Sequence, residues 1–182
     1  YGHADGNQWV AAECDVSIRP GWFYHPEEDD KVKTVDQLTD LYYRSVGHNA
    51  TLLLNFPVDR NGLIHPTDSL NAVSFHQRVQ KELADNLLSS AKVSASDERG
   101  GQFKVRGVTD GKYDTYWATN DGVTTADLAF TFSQPTKMNR VMIQEYIPLG
   151  QRVKYFVVEY KKGDQWLSVK CNEETTTVGY KR

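Results

Sequence analysis

Between residues 34 and 46 the apolar positions Val35, Leu38, Leu41, Tyr42 and Val46 recur three or four residues apart, which predicts an amphipathic helix. Thr34 is placed to cap its first amides while Gln37 reaches back, and Gly47 predicts its end. After the polar pair His48 and Asn49 comes a short apolar run over residues 51–56, TLLLNF, which fits a strand buried on both faces. A helix leading at once into such a strand predicts α/β construction. Pro57 stops the run, and DRNG at 59–62 predicts a turn before Leu63 and Ile64. A second helix is expected over residues 68–88, with Leu70, Val73, Val79, Leu83 and Leu87 on its inner side.

From Ala91 onward the pattern changes to strands and turns. Leu128, Phe130 and Phe132 share one face of a predicted strand. Val141, Ile143 and Glu145 alternate with Met142, Gln144 and Tyr146, and residues 153–160 are rich in β-branched and aromatic side chains. Residues 161–164, KKGD, predict a hairpin turn into a strand over 165–169. Short strands linked in this way form a sandwich or barrel. The change of pattern near residues 89–91 predicts two domains, 1–89 and 90–182.

The first thirty residues have no clean period and predict an irregular segment with one short strand near 12–18. A compact domain spends so much chain without regular structure mainly where the segment lines a site. Pro20 keeps Arg19 out of the α region and Gly21 permits a tight turn, which places Trp22, Phe23, Tyr24 and His25 at a strand end.

Composition narrows the function. The chain has 182 residues, 39% of them hydrophobic and 25% charged, so a folded core is expected. A net charge of -3 offers no broad cationic surface, which makes nucleic acid an unfavoured partner. No run of about 18 apolar residues exists to span a bilayer, and no signal sequence is visible. The two cysteines, Cys14 and Cys171, form neither a disulfide framework nor a metal cluster, and each reads as a small buried or half-buried residue. His3, His25 and His48 are not spaced as metal ligands. Ser17 and Ser45 lie in no nucleophile elbow, and Gly47, Gly100 and Gly101 make no phosphate loop.

The stretch WVAAECDVSIRPGWFYH at 9–25, with LYYRSVGHNATLLLNFPVDRNGLIHPTD at 41–68, resembles the last third of the catalytic barrel of family 29 glycoside hydrolases, the α-L-fucosidases, in the subgroup acting on α-1,3/1,4-linked fucose. Further on, VTDGKYDTYWAT at 108–119 and VMIQEYIPLGQRVKYFVVEY at 141–160 resemble the discoidin-like, coagulation factor 5/8 type C sandwich. The resemblance implies the C-terminal part of a (β/α)8-like barrel, followed by part of an antiparallel, galactose-binding-like jelly roll. It also implies a retaining exo-acting hydrolase of fucosylated glycans that needs no catalytic cofactor and works in the periplasm or outside the cell. Its nucleophilic aspartate and acidic glutamate are then expected upstream of Tyr1, so that this chain alone is expected to be inactive and to need the remainder of its parent polypeptide or another chain. The 88 residues before the sandwich hold too few elements to close a barrel. The last eight residues read as a strand beginning without its neighbours.

Several residues carry two readings. Trp22 matches the tryptophan that packs against the sugar in the resembled family, and also reads as a core residue beside Phe23. Glu13 and Asp15 face the same way in a strand. They read as a pair bound to Arg19, with Glu13 bordering the sugar subsite, in preference to a catalytic pair. His25 reads either as donor to a sugar hydroxyl or as a surface histidine. Asp110, Thr115 and the backbone around Lys112, turned by Gly111, suit a structural calcium ion, or else an Asx turn closed without metal. Trp117 reads as a plug at the bottom of the sandwich, which itself serves as spacer or as sugar binder. The competing function class is a non-enzymatic carbohydrate-binding or adhesion protein acting through the sandwich.

Overall fold

The computed structural model describes residues 3, 5–171 and 174–182 and resolves two compact units. The first holds Val10–Asp85 with Lys181–Arg182, and the second holds Asn86–Tyr180 with residues 3 and 5–9.

In the first unit, strand β1 (Ala12–Ser17) pairs in parallel with β2 (Ala50–Asn55), Glu13 opposite Thr51 and Asp15 opposite Leu53. Helix α1 (Val35–Ser45) connects them and packs on helix α2 (Pro66–Glu82). The Thr34 hydroxyl accepts from the Gln37 amide, and the Gln37 side chain accepts from the Thr34 amide, so both halves of the expected capping box are formed. The helix does not end at Gly47. A 3-10 turn, Val46–His48, follows it, and Asn49 takes the left-handed conformation that reverses the chain, at φ 72°. Ile18, Val32 and Leu38 form the buried core, with Leu41, Leu54, Phe56 and Phe75 packed against it.

Two expectations for this unit are corrected. β2 is covered on one face only: Leu52 and Leu54 are half-buried, whereas Thr51 and Leu53 are exposed with Glu13 and Asp15 on the open face. Helix α2 starts two residues before the expected position, with Pro66 in its first turn and His65 as its cap, and ends at Glu82. Its inward face carries Asp68, Phe75 and Val79, while Leu70, Val73 and Leu83 are exposed, as is Leu87 beyond its end. The apolar stripe was a poor guide because the residue most deeply buried on this helix is an aspartate.

The second unit contains β3 (Lys92–Ala95) antiparallel to β4 (Leu128–Thr131), and a hairpin of β5 (Glu159–Lys162) with β6 (Gln165–Ser168). The hairpin turns at Gly163, φ 60°, as its sequence predicts. Leu128 and Phe130 do not share an equally covered face, since Leu128 is exposed and Phe130 half-buried. Residues 141–146, 153–158 and 174–182 are not strands. Instead, Glu145 accepts from the amides of Arg152, Val153 and Gly179 through its carboxylate, and the Phe156 amide donates to the Thr175 carbonyl. Among the described residues the sheets are two-stranded pairs, and the molecule is a multidomain α and β arrangement. Cys14 is half-buried, but Cys171 is exposed, and both are free thiols.

Candidate functional site

The irregular segment that leaves β1 is tied down by its surroundings. The Ile18 amide donates to the Asn55 carbonyl at 3.0 Å, which carries the parallel pairing one residue past the end of β1. The ammonium of Lys33 donates to the Ser17 carbonyl at 2.7 Å. Past that point Arg19 turns inward and is wholly buried.

Arg19 makes the most elaborate polar contacts of the unit. Its Nε and Nη2 donate to the two carboxylate oxygens of Asp68, both at 2.8 Å, and Asp68 is equally buried. Its Nη1 lies 2.9 Å from Asp29 Oδ1 and donates to the His25 carbonyl at 3.4 Å. The guanidinium carbon sits 4.6 Å from the centre of the Tyr24 ring. Tyr24 donates its hydroxyl to Asp29, and His65 Nε2 lies 3.5 Å from the same carboxylate. The bidentate bond to Asp68 raises the Arg19 pKa further above its ordinary value. Burial, and then the Asp29 carboxylate, raise that of Tyr24. The expected partnership of Arg19 with Glu13 or Asp15 is therefore corrected. Those carboxylates point to the open face of β1, while Arg19, beyond the strand end, faces the start of α2.

This clamp holds a turn that carries the expected site residues. The Trp22 indole is 50% exposed, so within this chain it is not a core side chain. Its carbonyl accepts from Asn55 Nδ2 at 3.1 Å, and the same amide donates to the Ser17 hydroxyl at 3.2 Å. Gly21 is outside the left-handed region, and a Cβ placed there would meet nothing within 4 Å. Glycine thus leaves open space beside Trp22, although the backbone does not require it. His25 is exposed, and its imidazole lies 3.8 Å from Glu27. Trp22 and His25 share one turn. Glu13 does not join them, lying four residues, about 13 Å of strand, before Ser17.

In the second unit Asp110 accepts from the Lys112 amide at 3.0 Å and from the Thr115 hydroxyl at 2.9 and 2.8 Å. The Lys112 amide bond, followed by the Thr115 hydroxyl, holds its carboxyl below the usual carboxylate range. The expected ligands, the Asp110 carboxylate, the Thr115 hydroxyl and the Lys112 carbonyl, supply fewer than the six to eight oxygens calcium takes. Among the described residues no group of three His, Cys, Asp or Glu side chains is placed to hold a metal ion, and no helix is long and apolar enough to cross a membrane. Trp117 is half-buried, with its indole N–H on the Asp97 carbonyl at 2.9 Å.

Sequence reasoning did not find Asp68, Asp29, Asn55 or His65. The run His65, Pro66, Thr67, Asp68 does carry a signal, an acid in the first turn of a helix, but nothing in it names Arg19 as the partner.

Comparison with known proteins gives concordant results. The model of the F5/8 type C domain matches residues 91–182. The chain is 38% identical over 186 residues to Alpha-L-fucosidase 1 of Arabidopsis thaliana, covering 100% of this chain and 36% of that protein. A crystal structure from Bacteroides thetaiotaomicron superposes with a TM-score of 0.92 at 44% identity, over 99% of this chain and 39% of that one. A GH29 fucosidase of Ruminococcus gnavus, solved in complex with fucose, superposes at 0.89 with 36% identity, over 100% of this chain and 36% of its own. The chain thus spans little more than a third of the length of these relatives.

Proposed function

Since the chain belongs to the F5/8 type C domain family over residues 91–182 and has the fold of GH29-like α-L-fucosidases, we propose that it is part of an enzyme that hydrolyses terminal fucose from glycans, with Trp22 as the apolar wall of the fucose subsite. The observation that carries this reading is a half-exposed indole in the turn just beyond the C-terminal end of a parallel strand. In α/β barrels that end of the strands is where substrates bind. Fucose has a C6 methyl group and ring C–H bonds on one side, and an indole face covers both without desolvating a charge.

His25, on the same turn, is proposed as a hydroxyl donor at the rim. Glu13 is the weaker member of the set, because it stands at the other end of β1. The enzyme is proposed to be retaining, to cleave α-1,3 and α-1,4 linkages, and to act in the periplasm or outside the cell. Retention needs two carboxyl groups about 5 Å apart. By the family resemblance, both are assigned to the part of the protein outside this third of its relatives' length. Residues 1–89 are assigned to the catalytic domain and 90–182 to the sandwich.

The test uses the full-length protein and an aryl α-L-fucoside. Trp22→Ala should lower kcat/KM by roughly 10- to 1,000-fold, about 1.4 to 4 kcal/mol, and weaken a transition-state analogue in parallel. Trp22→Phe should recover part of the loss. A folded Trp22→Ala protein that binds the analogue as tightly as wild type would remove Trp22 from the site.

A further inference from the structure

We propose that Arg19 is a positioning residue for sugar binding: its buried guanidinium sets the path of the turn that presents Trp22 and His25, so that changing its fork alters affinity for the sugar and not only stability. The inference rests on the fucose-subsite reading of Trp22.

Three observations support it. First, the fork of Arg19 points away from the turn's open side. Two of its N–H groups are taken by Asp68 at the start of α2, and Nη1 is shared between Asp29 and the His25 carbonyl. One side chain thus ties residue 25 of the turn to Asp68 of α2, 43 residues further along the chain. Second, the Tyr24 ring lies 4.6 Å from the guanidinium and its hydroxyl donates to Asp29, the carboxylate that Nη1 also meets, so the residue two beyond Trp22 is tied to both members of that ion pair. Third, the opposite side of the turn is held at Trp22 itself by Asn55. The turn is therefore fixed at residues 19, 22, 24 and 25, while the Trp22 and Phe23 side chains remain exposed. A segment built only to fill a core would bury these rings and need no such frame.

A lysine at position 19 keeps the charge but has no planar fork, and cannot serve Asp68 in bidentate fashion while also reaching the His25 carbonyl. In the full-length protein, Arg19→Lys should raise KM for an aryl fucoside about tenfold, with kcat changed less than about threefold, the kind of loss a small misplacement of a binding surface produces. A merely structural role would reduce the folded fraction, and with it apparent kcat, while leaving KM unchanged. Hydrogen–deuterium exchange provides a readout independent of activity: amides of residues 21–25 should exchange faster in Arg19→Lys while those of β2 do not. Should Arg19→Lys fail to fold, Asp29→Asn, on a half-exposed carboxylate, should produce the same two changes more weakly. Faster exchange with an unchanged KM would overturn the binding role, and unchanged exchange in a folded variant would overturn the positioning itself. A wild-type protein without fucosidase activity would instead refute the fucose reading, leaving the exchange result to judge the frame.

Discussion

Asn55, the last residue of β2, donates its side-chain amide to the carbonyl of Trp22 at 3.1 Å, so the end of one parallel strand holds the turn that follows its neighbour. Asn55→Asp removes both donors while keeping size. With two hydrogen bonds lost, to Ser17 and to Trp22, the expected cost is about 1 to 3 kcal/mol. KM for a fucoside should rise as well. Denaturant unfolding of the full-length protein, together with steady-state kinetics, checks both. An Asn55→Asp protein with wild-type KM would show that the turn keeps its place without this bond.

The buried pair of Arg19 and Asp68 should behave asymmetrically. Asp68→Leu leaves the buried guanidinium with only the half-exposed Asp29 as counter-charge and should destabilise the protein by about 3 kcal/mol. Replacing both partners at once, Arg19→Met with Asp68→Leu, should cost less than either single change. Unfolding midpoints of the three variants decide the matter: single-variant effects that add up in the double would mean the two groups act independently.

Asp59 provides a pH prediction. Its carboxyl is held below the usual range by the Leu63 amide and then by the amide and side chain of Asn61. A depressed folded-state pKa adds stability that is fully present above the unfolded value, about 3.9, and is lost as pH falls through the folded value. Asp59→Asn should therefore be less stable than wild type at pH 7, with the gap narrowing below about pH 4. Urea midpoints measured between these pH values test the sign, and a gap that widened on acidification would contradict it.

For the Asp110 loop, calcium is a proposal with a direct test. To enter, the ion has to replace the Lys112 amide and Thr115 hydroxyl as partners of the carboxylate and draw further oxygens from main chain or water. Calcium should then raise the melting temperature of the full-length protein. A free concentration a hundred times Kd contributes about 2.7 kcal/mol. Chelator should reverse the gain, and Asp110→Ala should abolish it. A melting temperature indifferent to both additions would leave an Asx turn closed by its own protein donors.

Local rules made the capping box at Thr34 and Gln37, the DRNG turn and the hairpin at Gly163 readable from the sequence, because each is decided by groups within about four residues of one another. The turn at Pro20 and Gly21 was readable too, and it placed Trp22 just beyond a strand end, where the structure has it. Alternation was a weaker guide. Residues 141–146 and 153–158 have the pattern of strands, yet a strand also needs a backbone in register beside it, and here bonds such as those of Glu145 to Gly179 and Phe156 to Thr175 do not build a ladder among the described residues.

What the sequence determined by itself was therefore the short-range structure, the change from helices to strands near residue 90, and the aromatic turn after Pro20. The tertiary structure alone decided which way the charges face. Arg19 meets Asp68 across 49 positions, and that pairing buries an aspartate on the inward face of α2, while Leu70, Val73 and Leu83, which periodicity placed inside, are exposed. The physical reason is that a buried ion pair is tolerated only when geometry satisfies nearly every donor and acceptor at once, and such geometry belongs to the assembled chain, not to any segment of it.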